Sequence, residues 1–223
     1  MLAPLASEIL PDKPVMFFRR WAVSVLLTVG HSNHTIEHFF DLLIMYEVEF
    51  LIDVRSHPYS KYAPQFSREN LKIECRKRKI RYAYFGDSLG GRPRKNDHYD
   101  ECGRALYYKM AQEYDFIESC QRITTGIRSN LLALMCSEEN PLYCHRRLLI
   151  ARSIIDESVD IFHIRGNSYL QSEDEISVKN PLKPLQADIF SQEDTKWRSF
   201  QSVLRRPQQK DFSQESERMV YGG

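Results

Sequence analysis

The chain is predicted to fold as a single α/β domain, a three-layer Rossmann-like sandwich around a mostly parallel sheet of about five strands. Three observations predict it. Short apolar runs, VSVLLTV at 23–29, FLIDV at 50–54 and LLALM at 131–135, are too uniformly apolar for a sheet with one wet face. They read as strands buried on both sides. Between them lie segments with apolar residues at helical spacing, and this alternation of strand and helix is the pattern of a parallel sheet covered on both faces.

The elements follow in order. The first strand, 23–29, ends in Gly30-His31-Ser32-Asn33. A helix is expected over 35–46, where Ile36, Phe39, Phe40, Leu43 and Ile44 share a face. The strand at 50–54 delivers Asp53 and Arg55 into the loop SHPYSKYAPQF. Ser67 reads as an N-cap, with Glu69 in the first turn, for a basic helix reaching about Lys79. A third strand over 81–85 leads into Gly86-Asp87-Ser88-Leu89-Gly90-Gly91-Arg92, and the polar stretch 93–103 reads as an exposed loop. A helix over 106–123 precedes the fourth strand at 131–135. Cys144-His145-Arg146 then opens a helix carrying Leu148, Leu149, Ile150 and Ala151, and DIFHIR at 160–165 closes the sheet. Beyond Gly166 the pattern dissolves into polar sequence. The expected organisation is an N-terminal extension over 1–20, the α/β domain over 21–170, and a polar tail over 171–223 with one short helix near 190–205.

Composition bounds the function. The 223 residues carry 31 Lys+Arg against 30 Asp+Glu, net +1, so no global basic field points to nucleic acid. No run approaches the roughly 18–20 apolar residues of a membrane span. The first 21 residues place acidic residues and prolines before the basic pair, the wrong order for a secretory signal. Five cysteines in an odd, uneven set read as reduced thiols of a cytoplasmic protein rather than a disulfide framework.

Chemistry concentrates at the carboxyl ends of the strands, where open α/β sheets bind their ligands. His31 and Ser32 follow the first strand, Asp53 and Arg55 the second, Gly90, Gly91 and Arg92 the third, and Cys136, Glu138, Cys144, His145 and Arg146 the fourth. Cys144 at a helix start beside His145 and Arg146 is placed for a stabilised thiolate, while buried cysteines elsewhere are usually inert. The eight-residue interval from Cys136 to Cys144 is unlike a C-x-x-C redox motif, and Leu142 stands where a thiol phosphatase would need its arginine. Gly90-Gly91 reads either as a tight turn needing positive φ or as a weak phosphate cradle. Asp53 and Arg55 read equally as a loop-tying ion pair. Arg55, Arg92 and Arg146 share one rim, and planar guanidinium forks suit phosphate or carboxylate. His31, Cys136, Cys144 and His145 offer enough donors for zinc, but their spacing matches no common zinc motif. No metal and no cofactor are therefore assigned.

The runs TVGHSN, LIDVRSHPYS, LGGRP, LMCSEENPLYCHRRLLIA and FHIRG, in this order over about residues 25–168, resemble the domain-of-unknown-function 488 family. The resemblance implies a compact α/β domain whose signature residues sit together. Those are His31, Ser32, Asp53, Arg55, Gly90, Gly91, Cys136, Glu138, Cys144, His145 and Arg146. It implies no particular reaction.

The sequence therefore leads to an enzyme acting on a phosphate-bearing ligand, a nucleotide or nucleic acid. In that reading Arg55, Arg92 and Arg146 bind the anion, Glu138 or Asp53 transfers protons, and Cys144, beside His145, assists as thiolate. Two alternatives stand beside it, a non-catalytic module that binds an anion or nucleic acid, and a metal-dependent hydrolase with His and Cys ligands.

Overall fold

The structure, a computed structural model, describes residues 24–59, 61–155 and 159–180, together with Trp197 and Ser199. Its sheet has six strands: β1 (Ser24–Gly30), β2 (Phe50–Asp53), β3 (Arg81–Tyr84), β4 (Leu132–Cys136), β5 (Val159–Ile164) and β6 (Leu170–Ser172). They lie in the order β3-β2-β4-β1-β5-β6, parallel throughout except for the β5–β6 pair. The predicted α/β class and mostly parallel sheet are therefore observed, with one strand more than expected.

Register explains why the strands read as uniformly apolar. Leu51, Ala133, Leu27 and Phe162 lie side by side across one face. The next row, Ile52, Leu134, Thr28 and His163, faces the other way. Both faces are covered. Helices α1 (Ile36–Met45) and α2 (Arg68–Lys77) pack Phe39, Phe40, Leu43, Leu71 and Cys75 on the Leu27 side. Short turns α3 (Gly86–Leu89) and α4 (Tyr107–Met110) precede α5 (Tyr114–Gly126) on the opposite side. There Phe116 and Ile123 of α5 meet Leu149 and Ile150 of α6 (146–154). The first turns of α6, Arg146–Ala151, are π-helical, a winding that recurs at functional sites.

Local chemistry sets the boundaries. Thr35 caps α1 by accepting a hydrogen bond from the His38 amide. Ser67 occupies the N-cap of α2 in extended conformation but makes no side-chain cap bond. The helix expected over 106–123 is broken, because Glu113 is extended (φ −69°, ψ 137°) before α5 restarts. The Glu113 carboxylate there pairs with Lys95 and His98.

The sheet continues beyond residue 170. Ser168 adopts a left-handed conformation (φ 65°) and accepts a hydrogen bond from the Tyr46 hydroxyl at 2.6 Å. The chain turns there into β6 and then α7 (Glu173–Ser177). Glu173 is buried against the equally buried Arg147, which grips it with two nitrogens, and against His163 at 2.9 Å. These partners lie outside the reach of local pattern reading. The extension over 1–20 lies outside the described residues. So does the helix expected near 190–205, except Trp197 and Ser199, which bond to Leu148 and Ala105 of the domain. Among the described residues no helix is long and apolar enough to cross a membrane.

Candidate functional site

In this strand order the chain leaves β1 toward β2 over one face and leaves β4 toward β5 over the other. The loops after β1 and β4 therefore part company at neighbouring central strands, which opens a crevice. Two backbone bonds tie the loop bases together, His31 N–H to the Cys136 carbonyl and Ser32 N–H to the Ser137 carbonyl, both 2.9 Å. Ser32 holds a left-handed φ of 46° at this junction.

The β4–α6 loop folds back on itself. Asn140 caps the short 3-10 turn Pro141–Tyr143 by accepting from the Leu142 amide. That reversal carries Cys144 opposite Cys136. Cys144 is extended (φ −100°, ψ 139°) and His145 is already helical (φ −61°, ψ −24°). The Cys136 thiol donates to Glu138 at 3.2 Å and lies 3.6 Å from His145 Nδ1, while Cys144 Sγ lies 3.9 Å from the same nitrogen. His145 Nε2 donates to the Val54 carbonyl at 2.9 Å, so Nδ1 is the nitrogen that faces the two sulfurs. Gly91 packs flat on this ring, and a Cβ there would fall 2.7 Å from it. Gly90 has φ −64°, so close approach rather than a positive-φ turn is what these glycines supply.

Electrostatics separates the two thiols. For Cys144, burial alone would push the thiol up. The neighbouring Cys136, then the charges of Arg146 and His145, outweigh burial and bring it well below its ordinary value. Cys136 is pushed up by the neighbouring Cys144 and by burial. Burial, then the negative Cys144, raises Glu138. The cysteines left out of the site behave differently: burial takes Cys75 and Cys120 up to about 12, and Cys102 is exposed. All five are free thiols.

The expected arginine rim is largely absorbed into the scaffold. Arg55, 3 % exposed, bonds both Asp53 oxygens, the Phe66 carbonyl and His31 Nε2. Asp53, fully buried, also accepts from Tyr82. This is the loop-tying ion pair. His31 donates from Nδ1 to the Ser32 carbonyl and stacks on Phe66 at 4.4 Å. Burial, then the charge of Arg55, lowers it to about 4, so the ring is neutral. Arg146, fully buried, holds Thr28 Oγ1 and the carbonyls of Glu138 and Glu139. Arg165 is likewise spent on the Glu139 carboxylate. Arg92 lines the opening together with Arg55, its backbone N–H bonded to Ser56 Oγ.

That opening is a polar cavity of about 120 Å3 lined by Arg55, Ser56, His57, Tyr59, Gly91, Arg92, Cys136, Glu138 and His145. A second cavity of about 200 Å3 shares Ser56, His57 and Arg92 with it and has Met110 and Phe116 in its wall. Asp53 and Arg146 do not line either cavity. Sequence reading passed over Ser56, Tyr59 and Tyr107. Tyr107 is fully buried and its hydroxyl has no hydrogen-bond partner among the described residues. It belongs to the same buried core as Cys136 and Cys144. Only its place in a helix turn before a long helix could have drawn attention to it.

Fold and crevice together define a doubly wound α/β protein with a thiol, carboxylate and imidazole cluster at its switch point. The chain belongs to the family described as domain of unknown function DUF488, which matches residues 35–153, more than half of its length. The matched span contains Cys136, Glu138, Cys144, His145 and Arg146. No curated protein and no solved structure matches the chain.

Proposed function

We propose that the chain is an enzyme acting on a small phosphate-bearing molecule of the nucleotide class. One observation carries the reading: Glu138, Cys136 and His145 form the floor of a concave, polar cavity whose wall includes Arg92 and His57. Concavity with convergent polar groups is what separates a reaction site from a flat docking face. In this reading the phosphate enters the smaller cavity over the reactive groups, and the rest of the substrate enters the larger cavity, whose lining includes Met110 and Phe116. Glu138 is the proton carrier. Its position over the cluster is secured through its backbone carbonyl, which Arg146 holds. Asp53, Arg55 and Arg146 act as braces. Five free thiols agree with a reducing, cytoplasmic setting.

The test is turnover of a panel of phosphomonoesters, phosphodiesters and nucleotides, with dephosphorylated counterparts as controls. A charge-assisted contact is worth about 1.5–3 kcal/mol, so Arg92→Ala is expected to raise KM for the phosphorylated member by about ten- to a hundredfold. Equal turnover of the dephosphorylated compounds would remove the phosphate from this reading.

A further inference from the structure

We infer that Cys136, Cys144 and His145 form a zinc site, with Glu138 facing the metal's open coordination position. The inference deepens the function proposed above and rests on it for the substrate; the metal site itself stands on geometry alone.

One ligand atom from each of Cys136, Glu138, Cys144 and His145 lies within 4.8 Å of all the others. A tetrahedral zinc with Zn–S of about 2.3 Å and Zn–N of about 2.0 Å sets sulfur and nitrogen roughly 3.5 Å apart. The separations of His145 Nδ1 from the two sulfurs, 3.6 and 3.9 Å, already match that spacing. The imidazole is prepared in the way metal-binding histidines are. Its far nitrogen donates to a backbone carbonyl, here Val54, which fixes the tautomer and points the lone pair inward. Gly91 fixes the ring plane. Two thiolates and an imidazole are a donor set that favours zinc over harder cations, and the buried Arg146 guanidinium, which holds the 138–139 carbonyls, sits beside their negative charge.

A second observation points to something beyond the protein's own side chains. The Tyr107 hydroxyl, in the same buried core as Cys136 and Cys144, has no hydrogen-bond partner among the described residues, an arrangement that costs free energy unless a further group completes it. Cys144 lies beneath the cavity, whereas Cys136, Glu138 and His145 line it, so the fourth position opens where substrate enters. Glu138 follows a ligand by two residues, as the proton-carrying glutamate does in zinc enzymes that activate water.

The resulting step is hydrolysis. Metal-bound water gives a proton to the Glu138 carboxylate, and the hydroxide oxygen forms a bond to the electrophilic centre. The bond to the leaving group breaks, and Glu138 returns the proton to that group.

The experiment is elemental analysis of the full chain purified without chelator, with Co2+ titration of the metal-stripped protein read by near-ultraviolet sulfur-to-cobalt charge transfer. One zinc per chain and a charge-transfer band saturating at one equivalent are expected. Cys136→Ser and Cys144→Ser should abolish both, Cys75→Ser neither, and Glu138→Gln should keep the metal. The cobalt readout on the unaltered chain decides the matter if a serine variant does not fold. Neither zinc nor a saturable cobalt band, or a Cys136–Cys144 disulfide in the isolated protein, would overturn the site. Loss of metal in Glu138→Gln would overturn its role as proton carrier. A loaded metal with no turnover or binding of any phosphate compound would sink the functional reading and leave the site standing. Chelator-resistant turnover by metal-free protein would do the reverse.

Discussion

Replacing Glu138 by glutamine is expected to lower kcat by about 10²–10⁴, the usual contribution of a positioned acid or base, while KM changes little and the protein stays folded. The reasons lie in which atoms are employed. The side chain of Glu138 accepts one hydrogen bond, from the Cys136 thiol, and glutamine retains an acceptor for it. What orders the loop is the Glu138 carbonyl, bonded to Arg146, and the substitution leaves that bond untouched. Stability should therefore move by less than about 1 kcal/mol, within the range of changes that unmake no network. Steady-state kinetics on the best substrate of the panel, with an unfolding curve for the same variant, check both halves. A variant with unaltered kcat would remove Glu138 from the chemistry; a collapsed fold would make it a structural carboxylate.

Replacing Glu173 by alanine is expected to destabilise the fold by about 3–5 kcal/mol, the cost of leaving a buried charge without its partner. Arg147 and Glu173 are 2 % and 3 % exposed, so neither water nor salt can substitute. Arg147 would keep only the Asn180 carbonyl, and His163 would lose the acceptor of its Nε2. His163 in turn meets Thr28 at 2.7 Å, and Thr28 accepts from Arg146, which holds the site loop. The effect should therefore reach the crevice as well as the melting curve.

The same pair gives a pH dependence. For Glu173, burial acts to raise the pKa, but hydrogen bonds from His163, Arg147 and Ser177 prevail and lower it. A carboxyl lowered in the folded state contributes stability above its unfolded value of about 4.3, and that contribution is lost as pH falls through the folded value. Denaturant unfolding should show the gap between the parent protein and Glu173→Ala at full size near neutrality and shrinking below about pH 4. A gap that stays constant into acid would mean that Glu173 acts through packing alone.

What could be read in the sequence, and what could not, divides by distance along the chain. The strands at 23–29, 50–54 and 131–135 were visible because burial on both sheet faces leaves an unbroken apolar run. The cluster from Cys136 to Arg146 was visible because one strand, one loop and one helix start supply it. The division of labour among the arginines was hidden. Arg55 and Arg146 look like anion-binding forks locally, but His31, Phe66, Thr28 and two loop carbonyls claim them across the fold. The edge hairpin at β6 escaped because LQS is short and polar, and its anchor is Glu173 meeting Arg147, 26 positions away. A faint signal was present. Arg147 adjoins the apolar stripe of α6, and His163 interrupts the buried strand β5; a polar residue in such a place needs a partner. Tyr107 gave no comparable sign.

The most direct test of the account is a nuclear magnetic resonance titration of the isotope-labelled full chain with inorganic pyrophosphate. The predicted result is saturable shifts confined to the amides of residues 55–59, 90–92 and 136–146, reduced in Arg92→Ala. Shifts spread instead over the basic surface of α2, or no saturable shift at all, would contradict an anion site over the Cys136, Glu138 and His145 cluster.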